Sequence, residues 1–63
     1  MIRLGEIMNM LNDHGQTFVW ITDGEDLREL VFMKDWYAGS CRWPETAVVR
    51  RIDFVGGNVL EVW

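Results

Sequence analysis

Cys41 and His14 are the two side chains that could pair as nucleophile and general base, and the chain holds one residue of each kind. Such a pair needs hydrogen-bond reach and an acid that orients the imidazole. The sequence places His14 at the end of an expected helix and Cys41 in an expected loop, and nothing in their spacing enforces contact. The plainer reading is a surface histidine near a helix C-terminus and a small half-buried thiol. A lone cysteine excludes an internal disulfide. One Cys and one His also fall short of the roughly four ligands that a structural zinc takes. Gly56–Gly57 precedes strand-like sequence, where a dinucleotide loop needs a helix. The expectation is therefore no enzyme, no catalytic residues, no metal and no cofactor.

The remaining chemistry is that of surfaces. Asp23, Glu25, Asp26 and Glu29 fall within seven residues and are opposed there only by Arg28. Their order does not match the alternating oxygen ligands of a calcium loop, which ends in a bidentate Glu. They form either a solvated turn, since turns favour Asp and Gly for backbone reasons, or a negative patch offered to an Arg/Lys-rich partner. Trp36, Tyr37 and Trp43 lie in a stretch punctuated by Gly39, Ser40 and Pro44. They either fold back over a small core or stand out as binding anchors, a role in which Trp, Tyr and Arg dominate. Arg42 fits both readings. Arg50 and Arg51 are adjacent on an expected strand and should point to opposite faces, with Arg51 set to pair with Glu61 across strands.

The elements that must position these residues follow from periodicity. Leu4, Ile7, Met8 and Leu11 recur at i, i+3, i+4 and i+7, one stripe of a helix. Gly15 suits the left-handed position that closes it, after an Asn12–Asp13–His14 turn. Residues 17–22 are β-branched and aromatic throughout, as in a strand. Both faces of that strand are apolar, Phe18 and Trp20 on one and Val19 and Ile21 on the other, which predicts cover on both sides or an oligomer contact. Residues 27–33 read as a strand hairpinned to it through Asp23–Asp26, or as a helix capped by Asp23; the hairpin is preferred. Residues 35–45 read as irregular. Residues 46–54 form a strand, and Gly56–Gly57–Asn58 turns it into a last strand at 59–63. The fold class expected is α+β: an N-terminal amphipathic helix on an antiparallel sheet of about four strands, in the order α-β-β-β-β.

Residues 1–63 make a single domain. A chain of this size buries only about 60% of its unfolded surface, so stability must come from dense packing or self-association. Four tryptophans, three phenylalanines and one tyrosine supply the packing. The net charge of −4 lies wholly in residues 1–35, where seven acids face three bases; residues 36–63 hold three of each. An acidic balance argues against direct binding to a nucleic-acid backbone, which needs basic surface. The longest apolar runs span four residues (Phe18–Ile21 and Leu30–Met33), far below the roughly 18 that cross a bilayer. No signal peptide is visible at the start. With no cysteine framework, the expectation is a cytoplasmic protein without a membrane partner.

An amphipathic N-terminal helix (Leu4, Ile7, Met8, Leu11), an Asn12–Asp13 stop, a strand into Asp23–Gly24 and a terminal hairpin (Val48 to Ile52, Gly56–Gly57, Val59 to Val62) together resemble small phage- and prophage-encoded proteins. Anti-CRISPR inhibitors are among these. The resemblance implies a stoichiometric inhibitor in the host cytoplasm that occludes a basic protein surface, such as that of a CRISPR effector subunit. The partner-binding residues expected are Asp23, Glu25, Asp26, Glu29, Trp36, Tyr37 and Trp43. Two other readings stand beside it. One is a structural homo-oligomer, for instance a homodimer, with Trp20 or Trp63 in the interface. The other is a single-stranded nucleic-acid binder that stacks bases on the loop aromatics beside Arg42.

Overall fold

The helical stripe and the alternating strands assemble as their periods require, with two elements the sequence conceals. The structure, a computed structural model, describes residues 1–54 and 59–62. Strand β1 (Ile2–Arg3) runs directly into helix α1 (Leu4–Asp13). Strands β2 (Phe18–Thr22) and β3 (Arg28–Phe32) follow, then a short helix α2 (Met33–Tyr37), and finally strands β4 (Val48–Asp53) and β5 (Val59–Val62). Gly15, at φ +79°, ends α1 in the left-handed conformation. The ambiguous segment is a strand as far as Phe32, and helix begins at Met33. Trp63 and the turn expected at Gly56–Gly57–Asn58 lie outside the described residues; strands β4 and β5 pair antiparallel.

The sheet has five strands in the order β1-β4-β5-β2-β3. It corrects the expected four-stranded antiparallel sheet in two ways. First, β1 adds an edge by pairing with β4 through Ile2–Val49 and Arg3–Val48. Second, the two hairpins join along β2 and β5, which run parallel through Trp20–Val59, Ile21–Leu60 and Thr22–Glu61. Hairpin signals specify each antiparallel pair but not which edges then meet, or in which direction. The order also changes, because α2 occupies part of the stretch expected to be irregular.

Side-chain alternation gives the sheet two unlike faces. Leu4, Ile7, Met8 and Leu11 of α1 pack on Val19, Ile21, Val31, Val49, Leu60 and Val62, with Met33 at the start of α2. Among the described residues no polar or charged residue is buried. Trp36, Cys41, Trp43 and Ala47 lie against the margin of this core. On the opposite face Phe18 stands across from Phe32, and Trp20 across from Leu30. Phe18, Leu30 and Phe32 remain 38%, 38% and 41% exposed, and Trp20 is half-buried. The Arg28 guanidinium lies 5.0 Å from the centre of the Trp20 ring, within reach of a cation–π attraction. Strand β2 is therefore buried on its α1 side and only partly covered on the other.

Register places Arg51 opposite Glu61 as expected, but the ion pair falls to its neighbour. Val49 pairs with Val62 and Arg51 with Glu61, so Arg50 is an extra residue in β4, a β-bulge. The bulge turns Arg50 toward Glu61, and the ion pair expected of Arg51 is made by Arg50, Nε to Oε2 at 2.8 Å. Arg51 is the register partner of Glu61. Both arginines are thus placed beside Glu61, Arg51 by register and Arg50 by its ion pair.

Candidate partner-binding surface

The first turn of a helix leaves backbone N–H groups without partners inside the helix. Arg3, at the N-cap of α1, supplies no side-chain acceptor. Leu4 N–H donates instead to the carbonyl of Ala47 (2.7 Å), and Gly5 N–H to that of Glu45 (2.9 Å). Segment 44–47 is thereby fixed to the start of α1. Gly5 permits the approach, since a Cβ there would stand 3.0 Å from Glu45 Cβ. The Arg3 guanidinium tightens the contact by donating from Nη1 to the Thr46 carbonyl at 2.9 Å.

This attachment closes a hollow of about 320 Å³ whose walls include Trp36, Tyr37, Cys41, Trp43, Asn9 and Glu45. Helix α2 supplies Trp36 and Tyr37, and the following loop supplies Cys41, Trp43 and Glu45. Tyr37 is 53% exposed, and its hydroxyl donates to Asn9 Oδ1 at 2.6 Å. Trp36 and Trp43 are half-buried, resting on the core with one side and reaching the surface with the other. Trp43 Nε1 is buried and has no hydrogen-bond partner. The three loop aromatics expected to act together thus do line one concavity. Asn9 and Glu45, which sequence reasoning missed, complete it. A glycine in the first turn of a helix, where alanine would be favoured, was the one signal that backbone from elsewhere approaches there.

The four expected carboxylates divide into two groups. Glu29 belongs with the aromatics: its Oε2 lies 3.1 Å from Arg42 Nε, and it lines a small depression together with Asp35, Ser40 and Cys41. Cys41 also borders the aromatic hollow, so the two depressions adjoin. Asp23 is engaged within its own turn, where Oδ1 accepts from the backbone N–H of Glu25 (2.9 Å) and of Leu27 (3.2 Å). Thr22 supports the same turn by donating from Oγ1 to the Leu27 carbonyl and accepting from Gly24 N–H. Glu25 and Asp26 are exposed on that turn. A Cβ on Gly24 would come within 2.5 Å of a Glu61 oxygen, which sets the turn beside the Arg50–Glu61 pair. Asp23 therefore shapes the turn, Glu29 is paired with Arg42, and Glu25 and Asp26 present charge.

His14 caps the far end of α1 and is not among the residues that surround Cys41 in the hollow. Cys41 is a free thiol whose sulfur accepts from Trp43 N–H at 3.4 Å. Among the described residues no group of three or more Cys, His, Asp or Glu is arranged to hold a metal, and no helix is long and apolar enough to cross a membrane. No family model, no curated protein and no solved structure matches the chain.

Proposed function

We propose that the chain is a stoichiometric binding protein, of the kind that includes anti-CRISPR inhibitors, and that it acts by covering a basic surface on a protein partner. The observation that carries this reading is the Arg42–Glu29 contact. It ties the aromatic loop to β3, and the depression lined by Glu29 and Asp35 shares Cys41 with the hollow lined by Trp36, Tyr37 and Trp43. Half-buried rings held by their neighbours lose little side-chain freedom on binding, which favours them as anchors. Carboxylates around them speed encounter with a cationic partner and set its orientation. The partner would be a defence complex, a CRISPR effector subunit among the candidates, in the cytoplasm of a phage host.

Glu25 and Asp26 are the residues to test, since they are exposed and their side chains do not build the turn as Asp23 does. The double charge reversal Glu25→Lys and Asp26→Lys is expected to weaken capture of the partner from host lysate by about tenfold or more, the scale of one or two misplaced charges at an interface. The thermal midpoint should stay within a few degrees of the parent. Equal recovery of the same partner by both proteins would refute a role for the acidic turn.

A second reading is favoured by the sheet face that bears Trp20, Leu30 and Phe32. Exposed apolar groups that adjoin across neighbouring strands mark contact sites, and a second copy of the chain would match them by two-fold symmetry. Sedimentation equilibrium should then give a dimer at micromolar concentration, and Leu30→Glu should return it to a monomer. A parent chain that is already monomeric removes this reading.

A further inference from the structure

Within the partner-facing surface proposed above, on which this step rests, we propose that the hollow between Trp36, Tyr37 and Trp43 binds a methylated ammonium group, with Glu45 as its counter-charge. Glu45 is the single formal charge among the lining residues, and no lysine or arginine borders the hollow. The chain's nearby cations are engaged elsewhere: Arg3 donates to the Thr46 carbonyl and Arg42 pairs with Glu29. A guest cation would thus meet one carboxylate and three aromatic side chains, with no lysine or arginine among the lining residues to repel it. An anion would meet repulsion from both.

The choice among cations follows from what each gives up on leaving water. Tyr37 Oη and Asn9 Oδ1 are joined to each other at 2.6 Å, and Cys41 Sγ accepts from Trp43 N–H. Trp43 Nε1 is buried, so the half-exposed part of that indole offers carbon. The Glu45 carboxylate adds acceptors to the lone pairs still open on Tyr37 Oη and Asn9 Oδ1. A primary ammonium is a compact, strongly hydrated charge, so it gives up more on leaving water for a site walled by aromatic side chains than a quaternary ammonium does. A quaternary ammonium brings positive charge and no N–H donor at all. The same chemistry occurs on a trimethylated lysine of a partner protein and on a free choline-like molecule.

Titration followed by the indole N–H signals of Trp36 and Trp43 in nitrogen-correlated NMR spectra tests the assignment. Choline should shift both signals saturably and leave that of Trp20 unmoved. Its neutral isostere, with carbon in place of the ammonium nitrogen, should bind about five- to thirtyfold more weakly, the range that ring–cation attraction supplies at partly desolvated sites. Glu45→Gln should weaken choline by a comparable factor and leave the isostere unchanged, and Tyr37→Ala should weaken choline more than the isostere. A trimethyllysine peptide that binds more tightly than choline identifies a protein source, and the reverse order identifies a free small molecule. Equal binding of choline and the isostere overturns the proposal. So does the absence of a saturable shift at about 50 mM, well above the millimolar range where a weak site fills. Loss of choline binding with intact partner capture rejects this inference alone. Capture that survives the Glu25/Asp26 reversal, with choline still bound, rejects the acidic-turn reading alone.

Discussion

Truncation after Phe54 is expected to abolish the folded state, leaving no cooperative thermal transition and a far-ultraviolet spectrum typical of an unfolded chain. The reason is topological. Strand β5 comes last in sequence but lies in the middle of the sheet, between β4 and β2. Its removal separates the β1–β4 pair from the β2–β3 hairpin and exposes a ladder edge on each. It also takes Leu60 and Val62 from the core, both 1% exposed or less. Burying two such side chains contributes about 3–6 kcal/mol at the usual 1.5–3 kcal/mol each. A domain of this length has only about 3–9 kcal/mol in total. The burial term alone takes most of that margin, and the lost ladder hydrogen bonds add to it. Adding the missing nine-residue segment as a peptide should restore structure in a concentration-dependent way. A truncated chain that still melts cooperatively would show that β5 does not join the two halves.

That dependence on the last strand was the part of the fold least legible in the sequence. The α1 stripe was readable because Leu4, Ile7, Met8 and Leu11 repeat at helical spacing, and all four are buried. Strands β2, β4 and β5 were readable from β-branched runs, and β3 from its nearness to a turn. All of these are local signals. The parallel contact of β2 with β5 joins residues about forty positions apart, and no local pattern encodes it. Strand β1 has only two residues, too few to show any period. Helix α2 has five residues and no side-chain cap. Its helical form comes from tertiary packing, which buries Met33 and lays Trp36 against the core, as expected for a helix too short to persist alone.

The candidate surface was legible in its residue types but not in its geometry. Aromatics bounded by Gly39, Ser40 and Pro44 announced a loop with contact potential. Whether they would be buried or exposed depended on where segment 44–47 attached, and that was set by the unsatisfied N–H groups of α1. The outcome lies between the two expectations, with Tyr37 exposed and both tryptophans half-buried. The acidic run looked uniform in sequence, yet Asp23 faces its own backbone while Glu29 is paired to Arg42. The ion pair with Glu61 falls to Arg50 and not to its register partner Arg51 because strand alternation presumes an unbroken ladder, and the bulge breaks it.

The contrast between the two sheet faces gives the second large expected effect. Leu60→Ala should destabilise the protein by about 2–5 kcal/mol, the measured span for leucine truncation at buried sites. Leu60 is fully buried, in register with Ile21 on one side and Ile52 on the other, so the void has walls that cannot readily collapse. Leu30→Ala makes the same chemical change on the opposite face, where Leu30 is 38% exposed beside Trp20. Water can fill the space there, and the expected loss is below about 1 kcal/mol. In a domain of this size each kcal/mol moves the thermal midpoint by about 4–8 °C, so calorimetry separates the two variants clearly. The comparison also reports on association. If the second face is covered by another copy in solution, the Leu30→Ala loss will grow with protein concentration, because dimerisation stabilises the parent by mass action, whereas the Leu60→Ala loss will show no such dependence of its own. Equal, concentration-independent losses at both positions would mean that the two faces are not distinguished as the sheet register requires.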